Sequence, residues 1–152
     1  AVGITEVFAA PVLPDFGFTV LRNRFVTIGD AGASFDLVGV DDWGRMGVGD
    51  YDLEAATAGR DPSRASVLLA HQPSNLEAVS AKNLGLQLSG HTHGGQLFPG
   101  TLVGALMWQE RNTGLSKHGN SQLYTSRGCG FVGPPMRIGA PPEVVKLVLT
   151  SA

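Results

Sequence analysis

The sequence is poor in cysteine, in long apolar runs and in net charge, and each shortage excludes a class of protein. Cys129 is the one cysteine among 152 residues, so no disulfide can form within the chain. No apolar run approaches the ~18 residues that a membrane-spanning helix requires, and no signal-peptide pattern opens the chain. The net charge of −2 is spread along the sequence, which gives no signature of nucleic-acid binding or of attraction to an anionic membrane.

The composition is nevertheless that of a folded domain. Hydrophobic residues make up 43% of the chain, which is enough to fill a core and excludes a wholly disordered protein. The length fits one domain. We therefore expect residues 1–152 to belong to a single α/β domain.

Apolar runs and turn residues predict strands that alternate with short helices. The predicted strands are residues 18–21, 25–28, 35–40, 66–70, 84–89, 123–126 and 144–149. The predicted helices are residues 4–12, residues 53–58 with Asp52 as N-cap, and a helix that runs from the capping box Ser74-Asn75-Leu76-Glu77 to about Lys82. Residues 97–108 give no clear pattern. The strands at 66–70 and 84–89 and the helix between them predict a parallel βαβ unit.

Three histidines follow the ends of these two strands. His71 comes directly after the first strand, and His91 and His93 follow the second. Sites in open α/β sheets form at the carboxyl ends of strands, and neighbouring strands lie about 4.8 Å apart. If the two strands are neighbours, the three imidazoles can converge on one small volume.

Convergent neutral imidazoles suit Zn, Mn, Fe or Ni. The spacing of His91 and His93 allows one metal ion or a pair of ions about 3.5–4 Å apart. His118, beside the predicted turn at Gly119-Asn120, fits a structural role in solvent. Arg127 and Arg137 could steer a phosphate or be ordinary surface arginines, and Trp108 fits packing better than substrate stacking.

The sequence around these histidines resembles motifs of a known family. Residues 68–73, Leu-Leu-Ala-His-Gln-Pro, and residues 89–96, Ser-Gly-His-Thr-His-Gly-Gly-Gln, resemble the last two motifs of calcineurin-like metallophosphoesterases. Residues 38–42, 123–128 and 137–143 support the YkuE-like branch, whose members are often attached to membranes. The resemblance runs from about Gly17 to the end of the chain.

The resemblance implies a four-layer α/β/β/α sandwich that holds two divalent metal ions, Mn, Fe or Zn. His71 and His91 would bind one metal, and His93 would bind the other. The resemblance also implies that this chain is the C-terminal half of the sandwich, with mixed sheets and the parallel βαβ unit.

The family's three earlier motifs have no usable counterpart in this sequence. No D-x-H occurs, Gly29-Asp30 and Gly49-Asp50 lie downstream of the place of the G-D motif, and Gly119-Asn120 is followed by Ser121 where G-N-H-[DE] has histidine. The bridging carboxylate and the general acid of the family are thus missing, and two dications on three neutral ligands would repel each other uncompensated. We expect no catalytic residue in this chain, and Ala1 as first residue agrees with a chain that begins after these motifs.

Two functional hypotheses follow. The first is a phosphoester hydrolase, acting on a phosphomonoester or phosphodiester small molecule or a lipid head group, of which this chain is the C-terminal, by itself inactive portion. The second is a non-catalytic module that binds a metal or serves as a scaffold. In the first case we expect the chain to associate with its missing N-terminal half or with a second copy. The substrate-binding residues stay unknown, and membrane association of the full-length protein is an expectation of the resemblance alone.

Overall fold

The computed structural model describes residues 13–30, 32–43 and 50–150, and these fold around one six-stranded mixed sheet. The strands are β1 (Arg24–Asp30), β2 (Ala33–Gly39), β3 (Ser66–Leu69), β4 (Leu86–Ser89), β5 (Gly114–His118) and β6 (Ser121–Thr125). Their order in the sheet is β1-β2-β3-β4-β6-β5. The predicted α/β class is confirmed. The helix expected at residues 4–12 lies outside the described residues.

The four central strands are parallel, and the two edge strands are antiparallel to their neighbours. β3 pairs directly with β4, from Val67 opposite Leu86 to Leu69 opposite Leu88. The predicted parallel βαβ unit is therefore confirmed. The hairpin predicted at Gly119-Asn120 is present as well, because it joins β5 to β6.

The core lies between the sheet and two short helices, α1 (Leu53–Thr57) and α2 (Leu76–Ala81). It consists of strand and helix side chains that are almost fully buried: Val38, Val40, Leu53, Ala56, Leu68, Ala70, Val79 and Leu84. Asp52 caps α1 as predicted, since its carboxylate accepts a hydrogen bond from the Ala55 N–H at 2.9 Å. The opposite face of the sheet is less covered, because Leu37, Leu69, Leu86 and Leu88 are only half-buried.

Three local predictions are wrong. Residues 18–21 are not a strand. The capping box does not form, because Asn75, in a left-handed conformation and with no side-chain cap bond, is the N-cap of α2. Residues 144–149 have the apolar pattern of a strand but pair with no strand in the described structure, and Val144 is 91% exposed. A strand needs a partner for its N–H and C=O groups, and none of the described strands pairs with this segment.

The stretch that the sequence left open, residues 97–108, contains a third helix, α3 (Gly100–Trp108). It follows the short 3-10 turn His93–Gly95, which begins at the third of the candidate histidines. None of its residues is buried. The helix therefore lies beside the histidines and not in the core.

A buried charge cluster ties β2 to the loop before β3. The Asp36 side chain is fully buried, and one carboxylate oxygen accepts hydrogen bonds from Thr27 Oγ1 at 2.8 Å and Arg64 Nη1 at 3.1 Å. The guanidinium of Arg60, whose side chain is only 2% exposed, lies 3.8 Å from the other oxygen. Arg60 also donates to the carbonyl groups at the end of α2, those of Lys82 and Asn83. Asp36 thus supplies the negative charge next to a buried cation.

The described residues form one sheet with α1 and α2 packed on one face. The second sheet of a four-layer sandwich is not among them, so that architecture stays an expectation. No helix in the described part of the chain is long and apolar enough to cross a bilayer.

Candidate metal centre

The carboxyl ends of β3 and β4 bring His71 and His91 together. The backbone pairing of the two strands continues beyond them, with Gly90 N–H donating to the His71 carbonyl at 2.9 Å. The two imidazole rings meet edge to face with centroids 5.0 Å apart. His91 Nδ1 and His71 Nε2 are 3.1 Å apart. The predicted convergence is correct for this pair.

The separation of these two nitrogens suits a shared ion. Two imidazole nitrogens at about 2.0–2.1 Å from one metal stand about 2.9–3.4 Å apart when the angle at the metal is about 90–110°. The observed 3.1 Å lies within that range. His71 and His91 therefore fit as two ligands of one divalent ion.

The surroundings of His71 favour its neutral form. Burial lowers the pKa of His71, the neighbouring imidazoles of His91 and His93 lower it further, and nearby Asp42 opposes them. A metal ligand must present a lone pair, so a neutral imidazole is the form that binds. His71 is thus suited to act as a ligand without first losing a proton at neutral pH.

His93 faces a different neighbour. Its Nδ1 lies 3.2 Å from Nη2 of Arg137. Burial lowers the pKa of His93, and the charges of Arg137 and His91 lower it further. An arginine has no acceptor, so Nδ1 is the acceptor of this hydrogen bond, and a neutral ring then carries its proton on Nε2.

The three histidines do not form a complete ligand set. Within residues 13–30, 32–43 and 50–150, no three His, Cys, Asp or Glu side chains are grouped so that they could hold a metal ion. The assignment of all three histidines as metal ligands stays a prediction. The structure contains a pair that fits one ion, and a third histidine that is hydrogen-bonded to an arginine.

Arg137 uses its whole guanidinium to hold three chain segments together. Nε donates to Gly130 O at 2.8 Å, Nη1 to His93 O and Ala140 O at 3.2 and 3.1 Å, and Nη2 to Arg127 O at 2.7 Å and His93 Nδ1 at 3.2 Å. These five contacts equal the five N–H donors that an arginine has. Arg137 is thus a clamp on the His93 loop, a role that the sequence did not reveal.

The loop that the clamp holds is locally strained. His91 and His93 have φ of 69° and 52°, and Gln96 has 49°. Left-handed backbone at residues other than glycine costs of order 1–3 kcal/mol and persists where the surroundings fix it. Gly95 is required here, because a Cβ would lie 2.4 Å from the Gly100 carbonyl oxygen. Such strain is typical of functional loops.

Arg127, the other arginine considered from the sequence, is bound to a carboxylate. Its Nε and Nη2 donate to Glu143 Oε2 at 2.9 and 2.6 Å, and its backbone N–H donates to Oε1 at 3.1 Å. Burial alone raises the pKa of Glu143, but the hydrogen bonds from Arg127 outweigh it and the pKa lies below its ordinary value. Arg127 therefore anchors the segment after β6.

Two further residues near the histidines make contacts that the sequence did not predict. The Trp108 ring stands edge to face with the His91 ring, with centroids 5.9 Å apart. Gln96 is buried, and its side-chain amide makes two hydrogen bonds with the backbone of Val132. Nε2 donates to the Val132 carbonyl at 2.8 Å, and Oε1 accepts from the Val132 N–H at 2.6 Å. Both contacts join segments distant in sequence, which local patterns do not reveal.

Cys129 is exposed. His118 lies at the end of β5, where its Nε2 is hydrogen-bonded to Ser116.

We expect Arg137→Met to loosen the His93 loop. Charged hydrogen bonds contribute about 1.5–3 kcal/mol each, and 1.4 kcal/mol is a factor of ten in a local opening equilibrium. Hydrogen exchange at the Gln96 amide should therefore accelerate at least about tenfold. Arg137→Lys, which keeps the charge but loses the planar fork, should recover little of the protection.

The control for this prediction is Arg24→Met, which removes a more exposed arginine bonded to the Val20 carbonyl. It should leave exchange at Gln96 unchanged. Equal exchange in wild type and Arg137→Met would show that the loop does not depend on the clamp.

Comparison with known proteins finds relatives by sequence but no similar solved structure. No protein-family model matches the chain, and no solved structure matches it. An uncharacterized metallophosphoesterase of Helicobacter pylori strain J99 is 39% identical over 135 residues, which is 86% of this chain and 35% of that protein. The uncharacterized metallophosphoesterase YkuE of Bacillus subtilis is 32% identical over 139 residues, 89% of this chain and 48% of that protein.

A third relative carries a different description. The transmembrane protein with metallophosphoesterase domain of Bos taurus is 39% identical over 104 residues, 66% of this chain and 23% of that protein. The chain therefore spans less than half the length of each of these three relatives.

Proposed function

This chain belongs to the calcineurin-like metallophosphoesterase family, and we propose that it supplies histidine ligands to the metal centre of a phosphoester hydrolase. The observation that carries the proposal is the His71–His91 pair, with two nitrogens 3.1 Å apart at neighbouring strand ends. This spacing suits two ligands of one ion, and the carboxyl ends of parallel strands are where sites of open α/β sheets form.

His71 and His91 hold the first divalent ion through Nε2 and Nδ1, and His93 serves a second. The assignment of His93 rests on the family resemblance, because in this structure its Nδ1 accepts a hydrogen bond from Arg137, and a second ion would have to displace Arg137 or take Nε2 after it loses its proton. Bound ions would activate water and neutralise charge on the transferring phosphoryl group. Mn, Fe and Zn all suit such a centre.

The protein's own groups in this region prepare the ligands. Burial lowers the pKa of His71, which favours its neutral ring. Gln72 donates a hydrogen bond to Asp42 at 3.1 Å, which fixes the carboxylate near His71. Arg137 holds the backbone and ring of His93. In this proposal these residues bind and position, and the general acid and the bridging carboxylate come from outside the chain.

The domain is accordingly one part of a larger unit. We propose that residues 1–152 are the C-terminal half of a four-layer α/β/β/α sandwich. The half-buried leucines on the open face of the sheet and the unpaired apolar segment 144–149 are the surfaces that a second sheet would cover. A missing N-terminal half or a second copy of the chain would satisfy them.

A non-catalytic metal-binding or scaffolding module is the alternative. It is favoured by one observation, that the described residues contain no complete ligand set. Membrane association of the full-length protein belongs to the proposals too, supported by the name of the bovine relative.

The deciding experiment is hydrolysis of bis-p-nitrophenyl phosphate with added Mn²⁺, with the 152-residue chain and the full-length protein side by side. We expect metal-dependent turnover, abolished by EDTA, from the full-length protein and none from the chain alone, because the chain lacks the bridging carboxylate and the general acid. Turnover by the chain alone that His91→Ala removes would contradict the division of the site. An inactive full-length protein that binds metal would favour the alternative.

A further inference from the structure

A glutamine occupies a position in the sheet where its neighbours have apolar side chains. Gln87 on β4 is paired with Leu68 on β3 and with Leu123 on β6. All three side chains are fully buried. Glutamine is mostly an exposed residue, because a buried amide must find hydrogen-bond partners to offset its loss of water. A fully buried glutamine in this row therefore indicates a role that leucine could not fill.

The amide of Gln87 is directed to the residue that follows His71. Its Nε2 donates to the Gln72 carbonyl oxygen at 3.2 Å and to Ser89 Oγ at 2.9 Å. Ser89, which is 9% exposed, donates in turn to the same carbonyl oxygen at 3.3 Å. A carbonyl oxygen can only accept, so the amide atom that faces it is Nε2. Gln87 and Ser89 thus hold the backbone one residue beyond His71.

Gln72 is fixed through its backbone and through its side chain. Its carbonyl oxygen also accepts from the Ser74 N–H at 2.9 Å, and its side-chain amide donates to Asp42 at 3.1 Å. The carbonyl of His71 itself accepts from the Gly90 N–H at 2.9 Å. The backbone of His71 is therefore held on one side by the continued strand pairing and on the other by Gln72.

The oxygen of the Gln87 amide shows that this residue does not serve stability. Gln87 Oε1 is buried and has no hydrogen-bond partner among the described residues, and such an atom destabilises the folded state. Loss of Nε2 would leave neither of its acceptors unpaired. Ser89 Oγ would still bond the Gln72 carbonyl, and that carbonyl would still accept from Ser74. What Gln87 contributes is the position of Gln72.

We propose that Gln87 is a positioning residue for the metal centre, which acts through the Gln72 carbonyl to keep His71 in place opposite His91; this inference rests on the metal-binding function proposed above for that pair. The two ligand nitrogens are 3.1 Å apart, and bonds of only about 2.0–2.1 Å to one ion tolerate little movement of either ring. Groups that orient metal ligands change metal affinity by about 10–100-fold when they are mutated. Gln87 acts one residue away from the ligand, so its effect belongs at the lower end of that range.

The test is calorimetric titration of the full-length protein with Mn²⁺, in wild type and in Gln87→Met. Methionine is close to glutamine in length and volume but has no N–H donor, so the packing is kept while the hydrogen bonds to Ser89 and Gln72 are lost. We expect the affinity for Mn²⁺ to fall about tenfold. The thermal unfolding midpoint of the metal-free protein should stay at or above that of wild type. A loss of affinity without a loss of stability separates positioning from a purely structural role.

Thr125→Val is the matched control. Thr125 is fully buried on the neighbouring strand β6, and its Oγ1 likewise has no hydrogen-bond partner in the described part of the chain. The substitution removes a buried polar atom without touching Gln72, so the affinity for Mn²⁺ should match wild type. An equal loss of affinity in Thr125→Val would show that any change of buried polarity at this end of the sheet weakens binding, and the inference would be overturned.

Ser89→Ala tests the same carbonyl from a second side chain. It removes one hydrogen bond to Gln72, so the affinity for Mn²⁺ should fall by about two- to tenfold, the factor that one ordinary hydrogen bond represents. In Gln87→Met/Ser89→Ala the combined loss should be smaller than the product of the two single losses, because both side chains act on one carbonyl. Wild-type affinity in Gln87→Met would overturn the inference, as would wild-type affinity in Ser89→Ala if Gln87→Met does not fold.

Hydrogen exchange in the metal-free full-length protein distinguishes this inference from the proposed function. The Gly90 N–H bonds the His71 carbonyl, and its exchange should accelerate about two- to tenfold in Gln87→Met and stay unchanged in Thr125→Val. Acceleration in a protein that binds no Mn²⁺ would retain the anchoring of His71 and reject the proposed metal centre. If wild type binds Mn²⁺ and neither exchange nor affinity changes in Gln87→Met, the inference is overturned and the proposed function stands.

Discussion

His91→Ala in the full-length protein should abolish most metal-dependent hydrolysis. His91 is the histidine that contacts both His71 and Trp108, and its removal takes away the second nitrogen of the His71–His91 pair. Even residues that only support metal ligands change metal affinity by about 10–100-fold when mutated. We expect affinity for Mn²⁺ to fall at least about a hundredfold. Because metal ions contribute several kcal/mol to the transition state, kcat/KM should fall by about 10³-fold or more.

The matched control is His118→Ala. His118 is another histidine at a strand end, partly buried where His91 is exposed, but it contacts Ser116 and lies 3.7 Å from Glu110. Calorimetric titration with Mn²⁺ and steady-state kinetics should show near wild-type values for this variant. If His91→Ala bound Mn²⁺ as tightly as wild type, the His71–His91 pair would not be the metal site, and the proposed function would be contradicted.

Asp36→Ala should produce the largest loss of stability. The substitution removes the carboxylate that lies 3.1 Å from Arg64 and 3.8 Å from Arg60, and Arg60 is almost fully buried. Removing one partner of a buried ion pair costs about 3–5 kcal/mol, because the remaining charge is left uncompensated. We expect a loss of this size in the free energy of unfolding, measured by urea denaturation, which approaches the whole stability of a marginal domain of about 5 kcal/mol.

Two variants separate the charge from the side-chain volume. Asp36→Asn keeps the shape and an acceptor for Thr27 but removes the charge. It should therefore also lower the free energy of unfolding, by somewhat less than Asp36→Ala does. Asp30→Ala removes an exposed aspartate at the end of β1 and should change the unfolding free energy by less than about 0.5 kcal/mol. If Asp36→Ala lowered the free energy of unfolding as little as Asp30→Ala, the backbone carbonyl groups that bond Arg60 would be enough to stabilise its buried charge.

Short-range patterns were enough to predict where His71 and His91 meet. The apolar runs before His71 and His91 require burial and parallel pairing, and the short connection between them makes their strands neighbours. The Asp52 cap and the Gly119-Asn120 hairpin follow from the chemistry of single residues. These predictions hold because each depends on residues close in sequence or on a burial pattern that one strand carries by itself.

The same reasoning failed where the partner is distant or lies outside the described residues. Residues 144–149 have the pattern of a strand, but a strand forms only against a neighbour. The capping box around Ser74 and Glu77 was outweighed by a left-handed Asn75 that redirects the chain into α2.

The sequence by itself determined the α/β class, the parallel unit and the position of His71 and His91 at its carboxyl end. Only the tertiary structure decided that Arg137 uses all five N–H donors to join the His93 loop to residues 127–130 and 140. The same holds for the contact of Trp108 with His91 and for the exposure of the α3 leucines. Periodicity and spacing describe how a segment relates to its own neighbours. The contact between Arg137 and His93 joins residues 44 apart, and such contacts are fixed by the packing of loops whose sequences carry no period.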